Sequence, residues 1–303
     1  MLGLGRVLLA VLLWGLGWGA QAAAPARLVV LDWASAETLV ALGVPPVGMA
    51  QVPDYRIWSG DMPLPPEVAD VGLRMEPNLE RIQALRPDGI VISPMQEGLR
   101  PLLTRIAPVH TITFNSAQQP DGYRQAEQAT RDLGQLVGRA TQADQLIATT
   151  RAAVQQLLAP LQAQGSLRPL YLLRFADRHH AWVLDGHSLF GGALQAGGAR
   201  LAWQGQSNLW GFATLPLTSL RQVPQALIIA IAPWPFRSLA ELDHSPLWQQ
   251  LPAVRAGRLL TLPPVWLGNG LPSVQRFCHL LAAAWTPGQV VLPQTDVAGG
   301  QTE

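Results

Sequence analysis

Two hydrophobic patterns alternate along this chain. Short apolar runs indicate buried strands of a parallel sheet, and longer stretches with apolar residues every three or four positions indicate helices that cover it. The strand-like runs of the first half lie at 28–32, 47–50, 89–93 and 109–114, and those of the second half at 170–175, 181–184, 227–231 and 259–262. The order predicts an α/β fold.

A mainly helical region, 123–161, separates the two sets of strands. Within it, segment 142–162 has one apolar stripe, with Thr150 in the intervening turn. The stripe consists of Leu146, Ile147, Val154, Leu157, Leu158 and Leu161. A helix of this length spans roughly 32 Å. The pattern therefore predicts two α/β lobes joined by a single long backbone helix.

The predicted domain organisation has five parts. They are a signal peptide at 1–24, a first lobe at 25–140, a linking helix at 141–164, a second lobe at 165–290 and a flexible tail at 291–303. Polar residues that precede helical patterns are expected to cap those helices. These residues are Ser35, Asn78, Ser188, Thr218 and Ser245, and a terminal helix is predicted at 273–285.

The first 24 residues are typical of a secretory signal. Arg6 precedes an apolar run at 7–18, and Ala20-Gln21-Ala22 forms a cleavage site. A membrane anchor is the alternative, but about a dozen apolar residues fall short of the roughly 20 that span a bilayer. No cysteine lies near the cleavage site, so we expect no lipid attachment. The mature chain is predicted to be soluble and periplasmic.

Composition excludes several functions. The chain has 21 basic and 20 acidic residues, and removing Arg6 leaves 20 of each, so no basic excess favours nucleic acid. Cys278 is the single cysteine and suits a buried position.

Adjacent His179 and His180 would point to opposite faces of a strand, which argues against a protein-bound metal. Ser188 leaves an exported serine hydrolase as an alternative, but Phe190 occupies the second glycine position of G-x-S-x-G.

Tryptophans in loop-like segments and one arginine suggest two walls of a binding cleft. Segments 55–58 and 70–80 carry Trp58 and Arg74, and the second half carries Trp203, Trp210 and Trp266 near glycines and prolines. Flat rings would contact apolar ligand surface, and a guanidinium would bind oxygen atoms with a planar fork of donors. The pattern favours a receptor, without enzymatic activity, for an amphipathic ligand with an oxygen-rich face.

The chain resembles periplasmic ferric hydroxamate (ferrichrome) siderophore-binding proteins of the FhuD-like type, in the helical-backbone class of ABC importer substrate-binding proteins. The resemblance rests on segments 55–58, 70–74, 76–80 and 105–108, and on 202–205, 208–211, 246–249 and 255–258. It implies two Rossmann-like α/β lobes with the ligand in a shallow cleft between them. It also implies a monomer without intrinsic cofactor that binds an Fe(III)-siderophore and delivers it to an inner-membrane ABC permease. A receptor for cobalamin or haem is the alternative within the binding class.

The resemblance also implies roles for individual residues. Arg74 would bind hydroxamate oxygens, and Trp58, Trp203, Trp210 and Trp266 would line the pocket. Trp182, Trp248 and Trp285 lie within strand or helix patterns, so we expect them in the core. Gln96 stands where the family has a tyrosine, and its amide would donate instead.

Other positions concern the rim and docking. Leu267 and Gly268 replace family aromatics, and Asn269 is a possible polar contact. Glu80 would dock on the permease, and Glu241 or Asp243 would be the candidates for a second docking carboxylate on the second lobe. The long helix implies small lobe movement on binding.

Overall fold

The computed structural model describes residues 27–116, 121–163, 165, 167–235, 240–268 and 270–285. The predicted signal peptide, the predicted tail and Asn269 lie outside these residues. In chain order the first half forms β1 (Leu28–Val30), α1 (Trp33–Ala41), β2 (Gly48–Met49), α2 (Val52–Ser59), β3 (Ala69–Asp70), α3 (Leu79–Ala84), β4 (Gly89–Ile92), a 3-10 helix (Pro94–Leu99), α4 (Arg100–Leu103) and β5 (Val109–Thr111).

The second half follows two helices. These are α5 (Gly122–Leu136) and α6 (Ala140–Ala163). The remaining elements are β6 (Leu170–Phe175), β7 (His180–Leu184), α7 (Leu189–Ala196), β8 (Phe212–Pro216), a 3-10 helix (Leu217–Gln222), β9 (Leu227–Ile231), α8 (Ala240–Asp243), α9 (Pro246–Gln249), α10 (Pro252–Arg255), β10 (Leu259–Leu262) and α11 (Leu271–Ala284). Among the described residues, no helix is long and apolar enough to cross a membrane.

Two five-stranded sheets confirm the predicted α/β class. The first sheet has the order β3-β2-β1-β4-β5, and all its pairs are parallel. Its central strands are completely buried, because helices cover both faces. We refer to this sheet with its helices as the first lobe, and to the sheet of β6–β10 with its helices as the second lobe.

The second sheet is mixed, which differs from the parallel sheet that strand–helix alternation predicts. Its order is β10-β9-β6-β7-β8, and β7 runs antiparallel to both β6 and β8. The four residues between β6 and β7 are too few for a crossover helix, so only an antiparallel pair can form there. Strand β8 was not predicted, because most of its side chains are only half-buried.

Helix α6 is the predicted long helix. It has 24 residues, or roughly 36 Å. Every member of the predicted apolar stripe is buried, and Thr150 donates to the carbonyl of Leu146 at 2.7 Å. The stripe packs against α5 and α11. The domain boundaries given above remain predictions.

Three of the predicted helix caps are confirmed. Asn78, Ser188 and Ser245 accept hydrogen bonds from backbone amides at the starts of α3, α7 and α9. The prediction for Ser35 is wrong, because α1 begins at Trp33 and Asp32 is its cap.

The cap predicted at Thr218 is also wrong. Thr218 lies inside the 3-10 helix Leu217–Gln222, which Pro216 precedes. A serine or threonine within the first turn of a short helix carries the same sequence signal as a true cap, and the preceding proline was the better boundary marker.

A buried carboxylate connects the two halves of the chain. Glu37 in α1 is 2% exposed and accepts hydrogen bonds from the Gly270 amide at 2.5 Å and from the Ser273 hydroxyl at 2.8 Å. Gly270 and Ser273 lie at the start of α11, where amides lack helical partners. Glu37 therefore caps the last described helix from the first lobe.

Candidate functional site

A cavity of about 560 Å³ lies between the two lobes. Its first-lobe residues all follow the carboxyl ends of parallel strands, the edge where α/β sheets bind ligands. Asp32 follows β1, Gln51 follows β2, Arg74 follows β3 and Ser93 follows β4. Phe114 follows β5 and completes this side, so five separate loops meet at one edge of the sheet.

The second lobe supplies an aromatic wall to the same cavity. Phe212 stacks on Trp182 at 5.3 Å between ring centroids and on Trp210 at 6.3 Å. Trp266 completes this side of the cavity. An arginine from one lobe and indole rings from the other thus border one common space.

Arg74 has free donors at the cavity. Its Nε donates to Gln51 Oε1 at 2.8 Å, and its guanidinium carbon lies 4.3 Å from the centre of the Trp33 ring. The two terminal nitrogens have no hydrogen-bond partner among the described residues. The guanidinium is therefore held in place by one nitrogen and a ring while two nitrogens remain available.

Burial affects both charged groups at this edge of the cavity. Desolvation lowers the pKa of Arg74, and the Asp32 and Asp54 carboxylates oppose that effect. Desolvation also raises the pKa of Asp32, against hydrogen bonds from Ser35 and the charge of Arg74. No ion pair joins Arg74 and the nearby Glu76 among the described residues, so Arg74 is not held by that carboxylate.

A tight loop presents Arg74 to the cavity. Gly72 has a φ of 89°, and its backbone amide donates to Asp70 Oδ1 at 3.0 Å. Its carbonyl accepts from the backbone amide of Gln51 at 2.8 Å. The Asn78 amide closes the loop on the Val71 carbonyl at 2.8 Å. Glycine is required because this φ is strained for other residues.

A second tight turn positions Trp210. Asn208 Oδ1 accepts from the amides of Trp210 at 3.0 Å and Phe212 at 3.3 Å. Gly211 has a φ of 73°, and a Cβ there would lie 2.1 Å from the Ser188 amide nitrogen. The segment 208–211 therefore needs both its asparagine and its glycine to turn Trp210 into the cavity.

The structure separates the predicted tryptophans. Trp210 and Trp266 line the cavity. Trp58 lies behind Trp266, edge-on at 5.2 Å, and does not line it. Trp203 packs against the core of the second lobe, and its indole nitrogen is buried without a partner among the described residues.

Trp182 was expected in the core and instead lines the cavity. Alternation along β7 explains the difference, since Ala181 and Val183 face the buried side and Trp182 the other. Trp248 is buried as predicted, and Trp285 packs at the edge of the core.

Gln96 lines the cavity, but its amide is already engaged. Its Oε1 accepts from the Ser93 amide and hydroxyl, both at 2.8 Å, and its Nε2 donates to the Leu31 carbonyl at 2.9 Å. A longer bond of 3.4 Å reaches the Arg74 carbonyl. Gln96 therefore supports the loop that carries Arg74, and the predicted free donor is not present in this geometry.

The remaining predicted positions lie at the rim or on the surface. Leu267 and Gly268 line the cavity. Glu80 is exposed on α3. Glu241 forms an ion pair with Arg178 at 2.5 Å, and the side chain of Asp243 lies outside the described set.

Neither a serine hydrolase site nor a protein-bound metal site is present among the described residues. The Ser188 hydroxyl is fully buried, donates to the Asp185 carbonyl at 2.6 Å and accepts from the Gly191 amide. It therefore serves as a helix cap, inaccessible to an ester. The His180 ring contacts Asp177 at 2.9 Å, and the described residues contain no group of three metal-ligating side chains. Cys278 is buried, and desolvation raises its pKa to about 12.

Four residues at or behind the cavity were not predicted from the sequence: Asp32, Gln51, Phe212 and Arg174. The first two follow strands directly, so their position at the carboxyl edge of a parallel sheet was an available signal. Phe212 belongs to the unpredicted strand β8. Arg174 lies inside an otherwise apolar strand, and its significance emerges only from its contacts.

The chain belongs to the periplasmic binding protein family Peripla_BP_2, whose family model matches residues 28–265. It is 32% identical to the iron(3+)-hydroxamate-binding protein FhuD of Escherichia coli over 274 residues, covering 90% of this chain and 92% of the relative. It is also 32% identical to the achromobactin-binding periplasmic protein of Dickeya dadantii, covering 88% and 87% of the two chains.

A solved structure supports the same fold. The FhuD of Vibrio cholerae bound to ferric Desferal matches with a TM-score of 0.80 and 30% identity, covering 86% of this chain and 98% of that chain. The resemblance inferred from sequence motifs is therefore confirmed, together with the two-lobed α/β class.

Proposed function

We propose that this protein is a periplasmic receptor, without enzymatic activity, that binds ferric hydroxamate siderophores and delivers them to an inner-membrane ABC permease. One observation carries the proposal. The two unengaged nitrogens of Arg74 border the same inter-lobe cavity as Trp182, Trp210 and Trp266. The names of the two relatives, hydroxamate-binding and achromobactin-binding, agree with a siderophore as ligand.

The chemistry of the cavity suits a ferric trihydroxamate. The oxygens around the iron carry partial negative charge, and a guanidinium fork can bind two of them at once. The siderophore's carbon skeleton would contact the aromatic wall, since rigid rings bury large apolar areas at small entropic cost. The iron would stay ligated by the siderophore as transported cargo, and the protein would contribute no metal ligand or cofactor.

Several finer assignments belong to this proposal. The ligand-contacting residues would be Arg74, Trp210 and Trp266, to which we add Trp182. Trp58 would act from behind Trp266, Gln96 from behind Arg74, and Trp203 would stabilise the second lobe. The mature chain would be a soluble monomer without lipid attachment, divided into two lobes and a linking helix at the boundaries predicted above.

Ligand titration followed by tryptophan fluorescence tests the proposal. We expect ferrichrome and ferric desferrioxamine B to quench the fluorescence at micromolar or lower concentration, because indoles line the cavity. Arg74→Ala should weaken binding by about 1.5–3 kcal/mol, the range for a hydrogen bond to a charged group. Saturable binding of haem or cobalamin, with no response to ferric hydroxamates, would contradict the proposal.

Permease docking is a separate part of the proposal and rests on the exposed position of Glu80. Glu80→Ala should leave siderophore affinity unchanged and reduce siderophore-dependent iron uptake in cells. Glu67→Ala removes another exposed first-lobe carboxylate and serves as the matched control. Equal uptake by the two variants would remove Glu80 from the docking surface.

A further inference from the structure

Arg174 is a buried charge directly behind the cavity wall. It lies in β6, is 1% exposed, and its Nη2 donates to the carbonyls of Ala232 and Val265, both at 2.8 Å. Its Nε and Nη1 have no partner among the described residues. Desolvation lowers the pKa of Arg174 to about 9, so the side chain remains charged at neutral pH.

Aromatic rings separate Arg174 from the cavity. Its guanidinium carbon lies 4.9 Å from the centre of the Trp58 ring and 5.8 Å from that of Trp266. Trp266 packs edge-on against Trp33 at 5.4 Å, and Trp33 carries Arg74 on its face at 4.3 Å. Two guanidinium groups from different lobes therefore contact one continuous group of tryptophans, one at the cavity and one beneath it.

The charges of the two arginines are balanced differently. Arg74 shares the cavity lining with the Asp32 carboxylate, which offsets its charge. Arg174 forms no ion pair with any carboxylate that the structure describes, and no neighbouring charge contributes to its pKa shift. Arg174 therefore adds a positive charge without a paired carboxylate behind the cavity wall. Charges act over longer distances in such a poorly solvated interior than they do in water.

We infer that Arg174 is a specificity-determining residue that biases this site toward ferric hydroxamate chelates of net negative charge and against chelates with a cationic side arm. The inference rests on the proposed function, because it concerns which members of that ligand class bind best. If Arg174 only fixed the carbonyl of Val265 beside Trp266, its substitution would change the affinity for all such chelates equally.

A series of chelates with one iron centre and different side-arm charges tests the inference. Ferric desferrioxamine B carries a free amine, its N-acetyl derivative is neutral and its N-succinyl derivative is anionic. We expect wild-type protein to prefer the anionic chelate over the cationic one by about tenfold at low salt, and less at high salt. Arg174→Met should reduce this ratio to about threefold or less, whereas Arg174→Lys should retain it.

Controls separate this effect from general ones. Arg221→Met removes one exposed positive charge of the second lobe and should leave the ratio unchanged. If Arg174→Met does not fold, Arg174→Gln provides the same comparison with one donor kept for the carbonyls. An unchanged ratio in the folded neutral variant, or a uniform loss of affinity, would overturn the inference while the proposed function stands. Failure of all three chelates to bind wild-type protein would refute the proposed function and the inference with it.

Discussion

The contact between Glu37 and the start of α11 offers a direct test of how the two lobes are held together. Glu37→Ala removes the acceptor of the Gly270 amide and of the Ser273 hydroxyl, which are bonded at 2.5 and 2.8 Å in a fully buried setting. A third, longer bond of 3.4 Å comes from the Ser273 amide. The substitution therefore removes three hydrogen bonds at the start of a 14-residue helix, including the bond from the buried Gly270 amide.

The expected loss follows from those donors. Each buried group left without a partner costs about 1–3 kcal/mol. Allowing for water entry into the space vacated, we expect Glu37→Ala to lower the free energy of unfolding by about 3 kcal/mol. For a chain of this size that corresponds to a fall in Tm of roughly 6–12 °C. Ser273→Ala removes the hydroxyl bond to Glu37 and keeps the bond from the Gly270 amide, so we expect about 1 kcal/mol.

Urea unfolding monitored by circular dichroism and by tryptophan fluorescence measures these losses. Glu37→Gln is the matched control, because its amide can accept from Gly270 and donate to the Ser273 hydroxyl, and it should cost about 1 kcal/mol or less. A Glu37→Ala variant within about 0.5 kcal/mol of wild type would refute the reasoning, since a bond between the lobes would then contribute nothing measurable.

The same residue predicts a dependence on pH. Burial raises the pKa of Glu37 well above its usual range, although the bonds from Ser273 and Gly270 oppose the shift. The folded state then holds a proton at pH values where the unfolded chain has released it. The contribution of Glu37 to stability therefore falls as pH rises from the unfolded pKa through the folded pKa. Unfolding of Glu37→Gln across this window should show a stability that increases relative to wild type with rising pH; a constant difference would contradict this.

Three further predictions concern the cavity and the linking helix. Gly211→Ala should lower the free energy of unfolding by at least about 2 kcal/mol in urea, since its Cβ would clash with the Ser188 amide; wild-type stability would disprove the clash. Trp182→Leu should reduce the affinity for ferric desferrioxamine B severalfold in fluorescence titration while Trp248→Phe, at a core position, should not; equal effects would contradict the assignment. Crystal structures with and without ligand should show only small lobe rotation, because α6 is continuous, and a swing of tens of degrees would refute this.

Sequence patterns predicted the fold class and the long helix because periodic burial decides both. The stripe of α6 is buried at every predicted position, and the strands β1, β4 and β9 appear as short apolar runs. The antiparallel pairing of β7 was not predictable from its apolar residues. Strand direction depends on the length of the connection before it, and that depends on strand ends that a pattern places only approximately.

The candidate site was predicted in part. Arg74, Trp210 and Trp266 were assigned to the cavity, which they line, because motif positions identify loop residues well. Trp182 and Trp203 were assigned the wrong way round, since whether a ring faces a core or a cleft depends on the packing of elements distant in sequence. The contacts of Arg174 combine three segments far apart in the chain, so no local pattern could show them.

Helix α11 lies near the end of the chain and packs against helices that come much earlier in the sequence, including α1. It packs against α1, α5, α6 and α7, and apolar residues such as Phe277 and Leu281 are fully buried there. A nascent chain that still lacks this helix leaves the apolar faces of those four helices exposed to water. We therefore expect neither half to reach its final stability during synthesis, and the protein to unfold in one cooperative transition despite its two sheets.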